Sequence, residues 1–209
     1  MVRMRAEERR ERLLEAAEKV MTDRGVAAGT TRTIVAEAGM PPSVFHYCFT
    51  SRDELISELI LRLGARERAA VWEGVVPSTD LREMLLSAVD AYLAHLQAHP
   101  EQELVLFELN HYAQRTPGLA HLAARQYDMY YESAAHVLEL AAEVTGHRWV
   151  LSVQEMARLA ISVTDGVTTT WLADRDTERS RVVLSSLLDH VSTLAVPIDA
   201  PEGDGREGD

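Results

Sequence analysis

The sequence contains very little cysteine and very little lysine. Cys48 is the only cysteine among 209 residues, so no disulfide and no cysteine-based zinc site can form within the chain. Lys19 is the only lysine, so arginine supplies nearly all of the positive charge. No apolar run approaches the roughly 20 residues that a membrane-spanning helix needs. The charged N-terminus also lacks the apolar core of a signal peptide. We therefore expect a cytoplasmic protein with no membrane partner.

Positive charge is also scarce overall, because the formal net charge is −12. That charge is unevenly distributed along the chain. Residues 1–60 carry nine Arg or Lys and ten Asp or Glu, a net charge of −1, so the remaining residues carry −11. Distribution matters more than the total for a nucleic-acid partner. The acidic total therefore does not exclude DNA binding by the first 60 residues.

Runs of β-branched residues are few, whereas Ala, Leu, Glu and Arg are abundant, and this composition predicts an all-α fold. In the first third of the chain, apolar residues at helical spacing predict helices over 5–23, 31–38, 42–49 and 51–71. Gly25 and Gly39 mark the ends of the first two. Thr30 or Thr31 can cap the second helix. Ser51 and Glu54 form a predicted capping box at the start of the fourth.

The rest of the chain predicts five more amphipathic helices, over 79–98, 102–114, 118–144, 152–173 and 177–194, and no strand. The sequence from Pro197 onward is short, acidic and rich in Gly and Pro, so residues 197–209 are predicted to be a disordered tail. We divide the remainder into a helix-turn-helix domain at 1–50, a connecting helix at 51–76 and a C-terminal domain at 77–196.

Residues 42–49 carry the most specific functional signal. Phe45 and Phe49 lie four residues apart, so one helix face can bury both rings. The opposite face then presents Ser43, His46 and Tyr47. A short helix with a buried aromatic stripe and small hydrogen-bonding groups outside is suited to a DNA major groove.

The first 60 residues resemble the DNA-binding domain of the TetR family of bacterial transcriptional regulators. The matching residues are Gly25, Thr30, Ile34, Ala38, Gly39, Phe45, Phe49, Ser51, Asp53, Glu54 and Leu55. Departures from the usual pattern occur at Val35, Pro41, Pro42, His46, Cys48 and Arg52. The resemblance implies an N-terminal three-helix helix-turn-helix domain, followed by a helical domain that binds a small-molecule effector and forms a homodimer.

Within that resemblance the predicted DNA contacts fall into two classes. Thr30, Thr31, His46 and Arg52 are candidates for the phosphate backbone of an operator. Pro42, Ser43, Val44 and Tyr47 are candidates for base edges. Arg32 could reach either. The resemblance implies a repressor on a pseudo-palindromic, double-stranded operator, released by a small molecule, with no enzymatic activity and no cofactor.

The C-terminal half supplies candidates for the other two roles. Aromatic side chains mixed with a few polar groups are typical of a ligand pocket, and we select Glu108, Asn110, His111, Tyr127, Tyr130 and Trp171. Small residues that allow helices to approach closely, together with apolar residues of the last helix, could form a dimer interface. These are Ala160, Gly166, Thr170, Leu184, Leu187, Leu188 and Val191.

Two other functions remain open at this stage. Glu108 and His111 form an E-x-x-H pair, and His95 and His99 lie four residues apart, so a helical metal-dependent oxidase is one alternative. A helical interaction module that does not bind DNA is the other. His46 could also sense pH, and Cys48 could sense oxidants, although a lone cysteine is more often an apolar filler.

Overall fold

The computed structural model describes residues 5–198, and helices dominate this part of the chain. The elements in order are α1 Ala6–Arg24, a 3-10 turn Val26–Ala28, α2 Thr31–Glu37, α3 Pro42–Cys48, α4 Arg52–Glu73, α5 Leu81–Ala98, α6 Pro100–Arg115, α7 Ala120–Thr145, β1 His147–Trp149, α8 Val153–Asp174, α9 Thr177–Ser192 and β2 Ala195–Pro197. The all-α prediction is confirmed, and each predicted helix corresponds to one observed helix. None of the helices between residues 5 and 198 combines the length and apolar character needed to cross a bilayer.

The two strands correct the prediction that the chain has none. β1 and β2 pair antiparallel, with Arg148 opposite Val196. Each strand has only three residues, which is too short for the alternating pattern that reveals a strand in a sequence. Pro197 therefore ends a strand, although it was predicted to begin a disordered tail. Residues 199–209 of that tail lie outside the described residues.

Local signals explain the ends of the N-terminal helices. Gly25 and Gly39 have φ of +80° and +64°, which glycine adopts at little cost. The Thr30 hydroxyl accepts a hydrogen bond from the Thr33 backbone N–H at 3.2 Å and so caps α2 as predicted. The Ser51 hydroxyl accepts from the Glu54 N–H at 3.0 Å. The predicted capping box is incomplete, however, because the Glu54 carboxylate binds the Thr50 N–H at 2.7 Å.

The chain forms two compact units. Unit 1 comprises the residues up to Ala70 together with Ala94–Tyr130. Its apolar core combines side chains from α1 to α4, such as Leu13, Phe45 and Leu59, with Leu109 and Leu122 from α6 and α7. The helix-turn-helix segment therefore shares one close-packed core with α6.

Unit 2 comprises Val71–Leu93 and the residues from Tyr131 onward. Its core contains Met84, Leu138, Met156 and Leu188. The Tyr92 hydroxyl is hydrogen-bonded to Thr168. These two units follow a different division from the predicted functional domains, whose boundaries stay a prediction.

Candidate nucleic-acid interface

The surface of α3 follows directly from the spacing of its side chains. Phe45 and Phe49 are buried at 0 % and 1 % exposure, with ring centroids 5.6 Å apart. Pro42, Ser43 and His46 are exposed, and Tyr47 is 71 % exposed. Val44 and Cys48 are half-buried and pack against the core of unit 1. The helix is thus anchored by its aromatic rings and presents a small polar face with one prominent tyrosine.

An arginine from α1 fixes the C-terminal end of α3. The Arg10 guanidinium lies 4.1 Å from the ring centroid of Phe49 and donates to the Cys48 carbonyl at 2.5 Å. It also pairs with the carboxylates of Glu54 at 3.0 Å and Glu58 at 2.5 Å. One planar group thereby links α1, α3 and α4, which is a use of the guanidinium fork that a lysine could not reproduce.

The loop between α1 and α2, residues 25–30, is held by side chains distant in sequence. Arg52 donates through Nε to the Gly29 carbonyl at 2.6 Å and through Nη2 to the Val26 carbonyl at 2.8 Å. Its guanidinium stacks on the Tyr112 ring at 5.1 Å. Arg52 was predicted to contact DNA phosphate. Two of its nitrogen atoms donate to this loop, which precedes α2, and the phosphate contact of Arg52 stays a prediction.

The remaining predicted phosphate contacts lie at the start of α2. Thr30 and Arg32 are exposed, and Thr31 is half-buried. The Thr30 hydroxyl also lies 3.0 Å from the Thr33 hydroxyl, in addition to its role as a cap. The free backbone N–H groups of a helix start favour an anion such as phosphate, and α3 exposes its polar face in the same unit.

Three of the predicted ligand residues belong to, or adjoin, one polar network inside unit 1. Asn110 donates to Gln126 Oε1 at 3.1 Å, and Gln126 donates to the Tyr130 hydroxyl at 3.0 Å. Tyr130 in turn donates to Glu67 Oε2 at 2.6 Å. Burial of the Tyr130 phenol, with a further contribution from the Glu67 carboxylate, raises its pKa well above 10. Tyr127 packs edge-on against Tyr130, with ring centroids 6.1 Å apart. We define Asn110, Gln126, Tyr130 and Glu67 as the polar network.

The other predicted ligand residues lie elsewhere. Glu108 Oε2 accepts a hydrogen bond from the Val26 N–H at 2.9 Å, so this carboxylate holds the 25–30 loop. His111 is exposed. Trp171 belongs to unit 2, where it is 4 % exposed and its indole N–H donates to the Thr177 hydroxyl at 2.9 Å.

The residues proposed for a metal site do not converge in the structure. His95 lies 3.5 Å from Glu103, and its ring centroid lies 5.0 Å from that of His99. Glu108 instead binds the backbone of Val26. Between residues 5 and 198, no group of three or more His, Cys, Asp and Glu side chains could hold a metal ion. The oxidase alternative therefore finds no support here.

The predicted dimer residues divide into two sets. Leu184, Leu188 and Val191 are buried within the protomer at 2 %, 7 % and 3 % exposure. These three side chains pack within the protomer, and their place in a dimer interface stays a prediction. Gly166 and Thr170 are exposed, and Ala160 and Leu187 are half-buried.

Some residues of this site had no signal in the sequence. Arg10, Tyr112 and Gln126 were absent from the predicted set, and each has a partner that lies 16 to 59 residues away along the chain: Cys48, Asp53 and Asn110. Local periodicity shows which face of a helix is apolar, but not which distant polar groups meet there.

Family models match both parts of this sequence. The model described as bacterial regulatory proteins, tetR family, matches residues 13–59. The model described as the C-terminal domain of BetI-type transcriptional repressors matches residues 81–196, which is more than half of the chain.

Individual relatives agree with these models. A nicotine-responsive transcriptional repressor of Paenarthrobacter nicotinovorans is 27 % identical over 188 residues, covering 90 % of this chain and 96 % of the relative. The fold is similar to that of a TetR-family regulator from a Rhodococcus species, with a TM-score of 0.73, 23 % identity and coverage of 88 % and 98 % of the two chains. It is also similar to a multidrug binding protein solved with imidazole, with a TM-score of 0.65, 26 % identity and coverage of 93 % and 98 %.

Proposed function

Because the chain belongs to the TetR family of bacterial regulatory proteins, we propose that it is a homodimeric repressor that a small molecule releases from a pseudo-palindromic operator. Its general role as a DNA-binding transcriptional regulator follows from the family. The observation that carries the specific proposal is the outer face of α3. There Ser43 and Tyr47 are exposed while Phe45 and Phe49 anchor the helix from beneath.

The proposed DNA contacts keep their two classes. Ser43, Pro42 and Tyr47 read base edges from α3, and half-buried Val44 contributes at most an edge contact. Thr30, Thr31, Arg32 and His46 contact phosphates, whereas Arg52 acts mainly by holding the 25–30 loop. Phosphate contacts set the register of the protein and base contacts select the sequence. A protein with this function has no catalytic role of its own, and we place it in the cytoplasm with its operator.

We place the effector beside the polar network. Buried Gln126 and half-buried Glu67 and Tyr130 offer both donors and acceptors, and such groups orient a small ligand. The nicotine-responsive relative supports a small organic molecule as the effector. The polar network includes Glu67 of α4, so a ligand that exchanges hydrogen bonds with it would shift this helix. The effector can release DNA only if it prefers the conformation that does not bind DNA.

The dimer forms through the outer faces of α8 and α9 in this proposal. Leu159, Gly166 and Thr170 are exposed on α8, and Val182 and Val183 are exposed at 65 % and 48 % on α9. Exposed apolar side chains on adjacent helices are typical of an interface. A twofold dimer presents two copies of α3 to successive half-sites of a palindrome.

A mobility-shift assay with the DNA that flanks the protein's own gene tests this function. The folded dimer should retard a specific fragment at low salt, and unlabelled competitor of unrelated sequence should not reverse the shift. A folded dimer that retards no fragment of this DNA would contradict the proposal and favour the interaction module without DNA binding.

A further inference from the structure

Helix α6 carries two polar faces with different partners. Glu108 and Tyr112 lie four residues apart and so share one face. Glu108 accepts from the Val26 N–H, while the Tyr112 ring supports Arg52 and its hydroxyl donates to Asp53 at 2.9 Å. This face of α6 therefore contacts the 25–30 loop, both directly and through the start of α4.

Asn110 and Gln114 form the second face, again four residues apart. Gln114 donates to Asn110 Oδ1 at 2.6 Å, and Asn110 donates to Gln126 in the polar network. Two residues correspond to more than half a helical turn, so Glu108 and Asn110 point to opposite sides of α6. Asn110 is 6 % exposed and Gln126 is 3 % exposed, which leaves little freedom on this side.

The loop contacted by Glu108 determines where α2 begins. Val26 donates to Glu108 and its carbonyl accepts from Arg52, so both backbone polar groups of one residue are used by distant side chains. The same short loop ends at Thr30, the N-cap of α2. A carboxylate that accepts from a backbone N–H makes a charge-assisted hydrogen bond, which is stronger than one between neutral groups.

We propose that Glu108 is a positioning residue for DNA binding, and that α6 transmits changes in the polar network to the 25–30 loop through it. This inference rests on the proposed function for its link to DNA. When the polar network rearranges around a ligand, Asn110 moves and α6 moves with it. Glu108 then withdraws from Val26 or pulls the loop, and the start of α2 changes position. The route is additional to the displacement of α4.

Hydrogen exchange on the protein alone tests the contact without DNA. In E108A the amides of residues 26–37 should exchange about tenfold faster, because the loop loses its charge-assisted hydrogen bond. E108Q should remain within about threefold of the wild type, because a glutamine oxygen still accepts from Val26. E101A is the matched control, since Glu101 is an exposed glutamate of the same helix. Unchanged exchange in E108A would overturn the inference whatever the DNA result.

A double-mutant cycle tests transmission. Y130F removes the hydroxyl that joins Gln126 to Glu67, and it should change both exchange at residues 26–37 and operator affinity by about threefold or more. In the E108A background the same change should have almost no further effect on either quantity. Equal effects of Y130F in both backgrounds would refute coupling through Glu108. A wild-type chain that shifts no DNA would instead refute the proposed function, and the exchange cycle would still decide the inference.

Discussion

Three hydrogen bonds converge on the Glu54 carboxylate. The Thr50 hydroxyl and backbone N–H donate at 2.6 and 2.7 Å, and Arg10 donates at 3.0 Å. These donors, the Thr50 hydroxyl first, lower the pKa of Glu54 from 4.5 to about 2. A carboxyl group whose pKa is lower in the folded state stabilises the fold above its unfolded pKa. It loses that contribution as the pH falls through the folded pKa.

We therefore expect E54Q to be less stable than the wild type near neutral pH. The difference in the free energy of unfolding should shrink as the pH falls from about 5 towards 2, because Glu54 becomes protonated in both states. Urea unfolding at a series of pH values measures this difference. E101Q, at an exposed glutamate, is the control variant for this series. A constant difference between E54Q and wild type across the range would contradict the lowered pKa.

Gly29 is required because the structure leaves no room for a side chain at this position. A Cβ atom there would lie 2.2 Å from Met21 Cε and 2.7 Å from Met21 Cγ, and Met21 is fully buried. We expect G29A to destabilise the fold by about 1–3 kcal/mol in chemical unfolding, as overpacking does. If Met21 is the obstacle, M21A should relieve part of this cost, so that the double variant is less destabilised than the sum of the single variants. Strict additivity would assign the cost to another cause.

At the level of single residues, the sequence predicted which side chains are buried better than it predicted their hydrogen-bond partners. The buried Phe45 and Phe49 and the exposed Tyr47 are confirmed, because helical spacing alone determines which face each side chain occupies. Glu108 was predicted to face a ligand, whereas its partner is the Val26 N–H, 82 residues away along the chain. No local pattern contains that information.

Among the helices, α3 is the one that reads DNA in the proposed function. Tyr47 is 71 % exposed, and the Arg9 guanidinium lies 5.9 Å from its ring centroid. We expect Y47A to weaken operator binding by about 1–3 kcal/mol if the side chain contacts a base. Thermal stability should change little, because so much of the ring is already in contact with solvent.

Y47F separates the two possible contributions of this side chain. A hydrogen bond from the hydroxyl to a base would be lost in Y47F, whereas apolar contact of the ring with a thymine methyl would be kept. Fluorescence anisotropy with a labelled operator measures both variants. Wild-type affinity in Y47A would remove Tyr47 from the interface.

On the scale of the whole molecule, the helices were predictable and their grouping was not. Apolar periodicity indicates that α6 has a buried face, but not that this face packs with α1 to α4 in unit 1. The β1–β2 pair was missed for a related reason, because 45 residues separate its two short strands. Their pairing depends on the packing of the helices between them.

The proposed dimer interface contains Gly166, and packing within the protomer does not explain why this residue is a glycine. Gly166 lies inside α8, where glycine costs about 1 kcal/mol relative to alanine. Among the described residues, no atom outside the neighbouring turns of α8 would lie within 4 Å of a Cβ added at this position. A second copy packed closely against α8 would explain the missing side chain. We expect G166L to fold normally and to sediment as a monomer, because the leucine would hold the two helices apart.

The smaller substitution G166A is the matched control for that experiment. It should gain helix stability and remain mostly dimeric, since a single methyl group requires far less separation than a leucine. Sedimentation equilibrium measures the dissociation constant of each dimer, and operator binding should fall in parallel for G166L. This parallel loss is expected because a monomer presents one α3 to a site that needs two. A G166L protein that stays dimeric would move the interface away from the outer face of α8.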